Sequence, residues 1–148
     1  AEVEIKISEA VEEVKHAQKL LAEANTKAAM ALIPDLLASA TEVSGSKLVA
    51  ASVGELTSDS LRELILQVRE RMGSDSVVIL GASSSDRATV MVAAGSQAVA
   101  SGKDSGALAK KAAEVLGGGG GGKKDLAQGG GPELSKLEQA IAEAKAML

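Results

Sequence analysis

Residues 117–131 read GGGGGGKKDLAQGGG, and Pro132 and Glu133 follow directly. Nine of the sixteen glycines of the chain lie in these fifteen positions, in two clusters. Because glycine has no side chain, another molecule can approach its backbone closely, and successive free N–H groups form a concavity that binds anions. Lys123 and Lys124 add two positive charges between the clusters. The segment therefore predicts a backbone-lined seat for phosphate, such as the phosphate of a nucleic acid.

A run of six glycines is also typical of a flexible linker. Leu126 and Ala127 argue against a linker, because they look like a short buried or strand-like step between the two clusters. The second cluster, Gly129–Gly131, then meets a helix predicted to begin at Pro132. A plain linker needs neither a second cluster nor a fixed separation, so the sequence favours the binding interpretation.

The whole string resembles the glycine signature of the C-terminal domain of alanyl-tRNA synthetase, which belongs to the DHH-associated domain family. In that pattern two glycines, a variable residue and three glycines precede a basic residue, Asp-x-Ala-Gln and a glycine pair. Gly119 stands at the variable place, and Lys124 stands where the family commonly has proline. The resemblance extends over about residues 45–148. The positions that match the signature are Gly117, Gly118, Gly120, Gly121, Gly122, Lys123, Asp125, Ala127, Gln128, Gly130 and Gly131.

The resemblance implies a non-catalytic domain that grips the elbow of a tRNA, alanine tRNA in this family, and links the aminoacylation and editing parts of a cytoplasmic synthetase. An extra contact of this kind raises the effective concentration of tRNA at both active sites. The implied partners are the tRNA and the rest of the synthetase chain, and no cofactor, metal or catalytic residue is expected here. The candidate nucleic-acid-binding residues are Gly117, Gly118, Gly120, Gly121, Gly122, Lys123, Lys124, Gln128, Gly129, Gly130 and Gly131, with Lys110 and Lys111 on the preceding helix.

Two other functions fit parts of the sequence. The first is the substrate-phosphate-binding half of a DHH-type phosphoesterase, although Lys123 stands where that family often has a histidine beside the glycines. The second is a purely structural dimerisation module with a glycine linker. Hydrolysis of short oligonucleotides would favour the first, and indifference to changes at Lys123 and Lys124 would favour the second.

Composition limits how a nucleic-acid site could work. The chain has 148 residues, is 45 % hydrophobic and contains no Phe, Tyr, Trp or Cys. Bases cannot be stacked on aromatic side chains, so contacts must come from backbone, Lys and Arg. The absence of cysteine excludes disulfides and thiolate metal sites and fits a reducing cytoplasm. Apolar runs are too short to span a membrane, so no membrane partner is predicted.

The distribution of charge is uneven. The net charge is −4, which argues against a generally basic nucleic-acid binder. Residues 1–45 hold four Lys and eight Asp or Glu and so carry the whole excess, whereas residues 46–148 hold twelve of each sign. Any positive patch must therefore be local, and it would gather Lys123 and Lys124 with Lys110, Lys111 or Lys103.

Periodicity predicts an α+β fold over residues 45–148, with a mixed β-sheet covered by helices and a glycine-rich loop before the last helix. Strands are predicted at Lys47–Val53, Ser76–Ala82 and Arg87–Ala94, the last two joined as a hairpin. Helices are predicted from Thr57 to Gly73, from Lys103 or Asp104 to the glycine segment, and from Pro132 onward. The N-terminus of that last helix would add dipole stabilisation for an anion.

Residues 1–44 are predicted to form a helical arm at the end of a linker or coiled-coil region. Small and apolar residues recur at steps of three and four after an N-cap at Ser8. Pro34 ends this helix or starts a second short one over residues 35–40. The stripe, which consists of Ala10, Val14, Ala17, Leu21, Ala24 and Ala28, suits either an intramolecular core face or a homodimer seam.

Other candidate sites have simpler explanations. His16 is the single histidine and sits in a polar helical stretch, so no metal pair is available. The segment Ser83–Asp86 is a turn signal, because no histidine is placed to activate a serine. Residues 117–123 match the start of a phosphate-loop pattern, but Lys124 replaces the Ser or Thr that holds magnesium. Asp125 is assigned a turn or capping role in preference to that of a catalytic base.

Overall fold

The computed structural model describes residues 13–20, 23–24, 27–28, 30–43, 45–84 and 87–147. Its centre is a six-stranded mixed sheet with strand order β1-β2-β3-β4-β6-β5. The β2–β3 pair is parallel, and the other neighbouring strands are antiparallel. The strands are β1 (Thr41–Val43), β2 (Ser46–Glu55), β3 (Ser76–Ser84), β4 (Arg87–Ala94), β5 (Gly119–Gly122) and β6 (Leu126–Gly131).

Helices lie on both faces of this sheet, which confirms the predicted α+β fold. Alternate residues of β4 belong to two separate cores, Val90 and Val92 to one and Met91 and Ala93 to the other. The first core lies under α4 and α5, and the second lies under α1 and α2. The helices are α1 (Ile33–Ala38), α2 (Ser58–Met72), α3 (Ser96–Ala100), α4 (Ser105–Val115) and α5 (Leu137–Ala146).

Local sequence signals set the ends of the helices. Thr57 caps α2 by accepting the N–H of Ser60, and Gly73 ends the helix with φ of 93°. Asp104 caps α4 by accepting the N–H groups of Gly106 and Ala107. Helix starts at Thr57 and at Lys103 or Asp104 were predicted, and the structure has N-caps at Thr57 and Asp104, where a side-chain oxygen satisfies N–H groups that lack a helical partner.

The arm is helical at residues 13–20, and every side chain in that stretch is exposed. The predicted N-cap at Ser8 and the stripe residues Ala10 and Leu21 lie outside the described residues. Pro34 does start a second short helix, α1, whose Ile33 and Leu36 enter the core beside α2. In the described part of the chain, no helix is both long and apolar enough to cross a membrane.

The last helix does not begin at Pro132, so that prediction was wrong. The N–H of Glu133 donates to Leu116 O, which holds this stretch against the end of α4 in a non-helical conformation. A 3₁₀ turn over Leu134–Lys136 follows, and α5 begins only at Leu137. The dipole contribution that we expected beside Pro132 is therefore absent from that position.

The glycine-rich segment is a β-hairpin instead of the predicted loop. Strand β5 consists of four glycines and forms an edge of the sheet, paired with β6 from Gly119↔Gly130 to Gly122↔Ala127. The hairpin turns at Lys123, whose N–H donates to Leu126 O. Glycine has a low propensity for β-strands. The order of β5 must therefore come from its pairing with β6 and its packing against α4.

Helix α4 packs directly on the backbone of this hairpin. A Cβ built on Gly129 would lie 2.6 Å from Ala109 O and 2.8 Å from the Ala113 Cβ. One built on Gly120 would lie 2.5 Å from the Gly129 Cα, and one on Gly131 would collide with Leu116 O. These glycines are needed because the helix and strand backbones touch, and any side chain between them would force the layers apart.

We therefore expect two alanine substitutions in the same hairpin to differ sharply. Gly129→Ala should lower the free energy of unfolding by about 1–3 kcal/mol or more, because it overpacks the contact with α4. Gly119→Ala should be neutral or stabilise by about 0.5 kcal/mol, because a Cβ there meets nothing within 4 Å and the unfolded chain loses freedom. Urea unfolding of both variants measures the difference, and equal effects would contradict the packing account.

Candidate nucleic-acid interface

The face of the hairpin opposite α4 is open. Helix α2 covers the other strands on that side, but Gly119 and Gly121 have nothing within 4 Å of where a side chain would start. Gln128, which pairs with Gly121, is exposed on the same face. We call this surface of β4, β6 and β5 the open face. At Gly119 and Gly121 a large ligand can reach the backbone without meeting a side chain of these residues.

A cleft of about 460 Å³ lies where the open face meets helix α2. We call it the hairpin cleft. Its lining brings together about two turns of helix α2 and the tip of the glycine hairpin, which are about 60 residues apart in sequence. The lining residues are Arg62, Leu66, Arg69, Met91, Gly121, Gly122, Lys123, Asp125, Leu126, Ala127 and Gln128.

Positive charge collects around the cleft and the open face. Arg62 and Arg69 project from α2, and Lys123 stands at the hairpin turn opposite them. Arg87 lies at the far end of the open face, where its Nε is 3.4 Å from a Cβ built on Gly130. Asp125 is the one acidic residue in the lining of the cleft. Since low-dielectric walls strengthen the field of grouped charges, this rim attracts anions.

A hydrogen bond fixes the hairpin turn to helix α2. Arg69 Nη1 donates to Asp125 O over 3.0 Å, and the same carbonyl accepts the N–H of Ala94 over 2.9 Å. The turn is also tied to α4, because Lys124 O accepts the N–H of Ser105. These three bonds set the position of Lys123 relative to the cleft.

The predicted site residues fall into two groups. Lys123, Gly121, Gly122 and Gln128 do meet at the hairpin cleft, and Gln128 also borders Gly130 on the open face. The others serve the packing of α4 or lie elsewhere. Of that second group, Gly120, Gly129 and Gly131 lie against α4 or its C-terminal end, whereas Gly117 and Gly118 lie against Glu133 and Gly130. The group also includes Lys124, outside the cleft lining, and Lys110 and Lys111 on α4.

Lys110 and Lys111 are separated from the cleft by the sheet itself. Their helix packs on the face that carries Val90 and Val92, whereas the cleft floor contains Met91. The structure therefore does not bring these two lysines together with Lys123. We expected this grouping because the lysines are close to the hairpin in sequence. In the structure, α4 and the cleft lie on opposite faces of the sheet, so closeness in sequence does not bring the side chains together.

Three cationic residues at the site were not among the residues predicted from the sequence. Arg62 and Arg69 are seven residues apart, so they project from nearly the same side of α2. Arg87 opens β4, the strand next to the glycine-rich β6. The spacing of the two arginines was a usable signal, but only the strand order shows that they face the hairpin.

No group of three or more His, Cys, Asp or Glu side chains within the described residues is arranged to hold a metal ion. The lining of the cleft offers guanidinium, ammonium, amide and backbone groups, which bind anions or the edges of bases, together with the Asp125 carboxylate.

The fold and the cleft define an α+β domain with a cation-rimmed, glycine-floored sheet face. The chain belongs to the DHHA1 domain family, whose model matches residues 45–148.

Its relatives include the alanine–tRNA ligase of Clavibacter sepedonicus, which is 40 % identical over 145 residues, 97 % of this chain and 16 % of the relative. The alanine–tRNA ligase of Anaeromyxobacter dehalogenans is 43 % identical over 136 residues, 92 % of this chain and 15 % of the relative. The chain thus spans about a sixth of the length of the curated relatives it matches.

A solved structure has a similar fold. The C-Ala domain from Aquifex aeolicus alanyl-tRNA synthetase superposes with a TM-score of 0.66 and 27 % sequence identity. The match covers 74 % of this chain and 96 % of that domain. The resemblance found in the glycine signature is therefore confirmed at the level of family and fold.

The Arg69 bridge leads to a stability prediction. Arg69→Ala should lower the free energy of unfolding by about 1 kcal/mol, because the hydrogen bond to Asp125 O is partly exposed. It should also speed hydrogen exchange at the Lys123 amide, which the turn protects. As a control, Arg71→Ala removes an exposed cation of the same helix and should change stability by less than about 0.5 kcal/mol. Equal effects of the two variants would show that the bridge does not hold the turn.

Proposed function

We propose that this chain is the tRNA-binding C-terminal part of an alanine–tRNA ligase that acts in the cytoplasm. In this proposal the open face and the hairpin cleft grip the elbow of the tRNA, and the domain links the aminoacylation and editing parts of the enzyme. Residues 45–148 form the gripping domain, and residues 1–44 form the arm that connects it to the rest of the synthetase. The relatives' names and the C-Ala structural match support the assignment.

The observation that carries the proposal is the convergence of cations on one bare sheet face. The whole chain has a net charge of −4, yet Arg62, Arg69 and Lys123 share one cleft with a single acidic residue. Arg87 extends the positive surface along the open face. An acidic protein with a local basic face is suited to a polyanion that must be held in one orientation.

The glycine floor suits recognition by shape. RNA helices are read mostly through their phosphates, 2′-hydroxyls and overall form, because side chains cannot reach the base edges of the deep groove. A strand of four exposed glycines lets the ribose-phosphate backbone approach the protein backbone closely. The absence of aromatic residues in the chain fits this mode better than recognition of stacked single strands.

A small number of cations implies weak binding by the isolated chain. Each phosphate contact contributes a salt-dependent increment through counterion release. In the intact synthetase, tethering to the other tRNA-binding parts would make each contact effectively intramolecular, so a weak grip is sufficient to position the tRNA.

The arm offers a separate surface for assembly. Val14 and Leu20 are more than half exposed, and every side chain of residues 13–20 is exposed. These apolar side chains are available for a contact with another chain or domain. The arm is therefore the proposed site of a homodimer seam or of a contact with the rest of the synthetase.

Binding of alanine tRNA measured against salt concentration tests the gripping function. Arg62→Ala/Lys123→Ala removes two cations of the cleft and should weaken binding roughly tenfold near 0.1 M salt. The slope of log affinity against log salt should become shallower by about 1–2, because two phosphate contacts are lost.

The matched control is Lys110→Ala/Lys111→Ala, which removes two charges from α4 on the other side of the sheet. It should leave the affinity within about twofold of the unmodified chain and the slope unchanged, since only long-range screening is altered. Equal losses in the two double variants would place the tRNA elsewhere, and no binding at low salt would refute the gripping function of this chain.

A further inference from the structure

The hairpin cleft is more than a cationic patch, because its floor is apolar. Leu66 and Leu126 are half-buried in the cleft, and Met91 lies beneath them at 2 % exposure. All three belong to or pack on the core under α2. A site that bound phosphate alone would have no use for this floor, since phosphate gains nothing from apolar contact.

The polar side chains around the floor differ in how exposed they are. Arg62 and Lys123 are exposed at the rim, Arg69 is half-buried in the wall, and the Gln128 side chain is exposed at the side facing the hairpin. Guanidinium and ammonium groups bind phosphate, whereas an amide both donates to and accepts from the edge of a base. The arrangement combines an apolar seat, an amide and a cationic rim.

The size of the cleft selects the ligand. Sites for small molecules usually occupy about 300–1,000 Å³, and the cleft, at about 460 Å³, falls within this range. That volume accepts one nucleotide and excludes a double helix, which would rest on the rim. Unpaired loop nucleotides of RNA are often splayed out of the stack and bound singly by proteins.

We propose that the hairpin cleft receives one unstacked nucleotide of the RNA partner. The base lies on Leu66, Leu126 and Met91 with its edge toward Gln128, and the attached phosphate is held at the rim by Arg62 and Lys123. Arg69 keeps its bond to the hairpin turn and presents its guanidinium plane to the base, in place of the aromatic residues that the chain lacks. This inference rests on the proposed function and adds the form in which the RNA enters the site.

Methionine methyl groups provide a direct reporter of the cleft. The chain has four methionines, of which Met91 lies in the cleft floor. Met72 lines another surface hollow near Lys47, and Met147 is exposed at the C-terminus. In the ¹³C-methyl-methionine NMR spectrum, titration with adenosine or uridine 5′-monophosphate should shift the Met91 signal with a Kd of about 1–10 mM. The signals of Met72 and Met147 should remain in place.

Ribose 5-phosphate is the matched ligand control, because it carries the same phosphate and sugar without a base. It should shift Met91 at least threefold less than the nucleotides do at the same concentration. Equal shifts would overturn the proposal in favour of a plain anion site, and no Met91 shift up to about 10 mM nucleotide would also overturn it.

Two variants connect the nucleotide site to RNA binding. Leu66→Glu places a carboxylate on the floor and should abolish the Met91 shift and weaken tRNA binding about threefold to tenfold. Arg62→Glu should have the same two effects. It is the variant to use if Leu66→Glu does not fold, because Arg62 is exposed at the rim and is not part of the core. The control is Ala107→Glu, an exposed position of α4 on the opposite side of the sheet.

The outcomes separate this proposal from the function on which it rests. If tRNA binds and Leu66→Glu binds it as tightly as Ala107→Glu does, the single-nucleotide site is refuted while the gripping function stands. If nucleotides shift Met91 but tRNA does not bind at any salt concentration, the cleft is a nucleotide site and the tRNA function fails. Joint loss of both signals in Leu66→Glu, with both retained in Ala107→Glu, supports the proposal.

Discussion

The contact between the backbone of helix α4 and the backbone of the glycine hairpin is the constraint on which the rest of the site depends. A Cβ on Gly129 would lie 2.6 Å from a helix carbonyl oxygen, and one on Gly131 would collide with Leu116 O at the end of α4. The helix side of the contact is built from small residues, Ala109 and Ala113. Close packing of this kind has no room for side chains, so it explains why the sequence repeats glycine on both strands.

The same constraint produces the open face. The glycines whose side chains would point away from α4, Gly119 and Gly121, lie opposite the contact and carry nothing on the other side of the sheet. Helix α2 stops short of this edge, so the floor beside Gln128 stays accessible while Arg62 and Arg69 stand at its border. One packing requirement thus leaves a bare backbone surface next to a row of cations. The proposed binding surface is therefore the part of the sheet that the helices leave uncovered.

Much of the framework could be predicted from the sequence, because strong local signals coincide with the tertiary fold. The helix from Thr57 to Gly73 and the strands β3 and β4 are examples. The glycine hairpin could not be predicted as strand, since four glycines show no alternation of apolar and polar residues. The start of α5 was misplaced because Pro132 is a common first helical residue. Here the Glu133 N–H donates to Leu116 O and the Leu134 N–H donates to Pro132 O, so the chain forms a non-helical turn.

The site was predicted in part for a similar physical reason. The hairpin residues Lys123 and Gln128 were found because they belong to one continuous motif. Arg62 and Arg69 were not, because they reach the motif only through the strand order that places β6 beside β4. Lys110 and Lys111 were included because they are near in sequence, although a sheet lies between them and the cleft. The division between arm and domain after residue 44 stays a prediction, and β1 pairs with β2 across it.

We expect the glycine segment to be an ordered strand held under α4 before any ligand binds. NMR of the free chain, labelled at glycine and alanine, is the measurement to make first. It should show cross-strand contacts between the Gly120 and Gly129 Hα protons, contacts from Gly129 to the Ala113 methyl group, and strand-like shifts over Gly119–Gly122. Random-coil shifts, with no contacts between these glycines and α4, would mean that the segment is a flexible linker and that the hairpin does not form in the free chain.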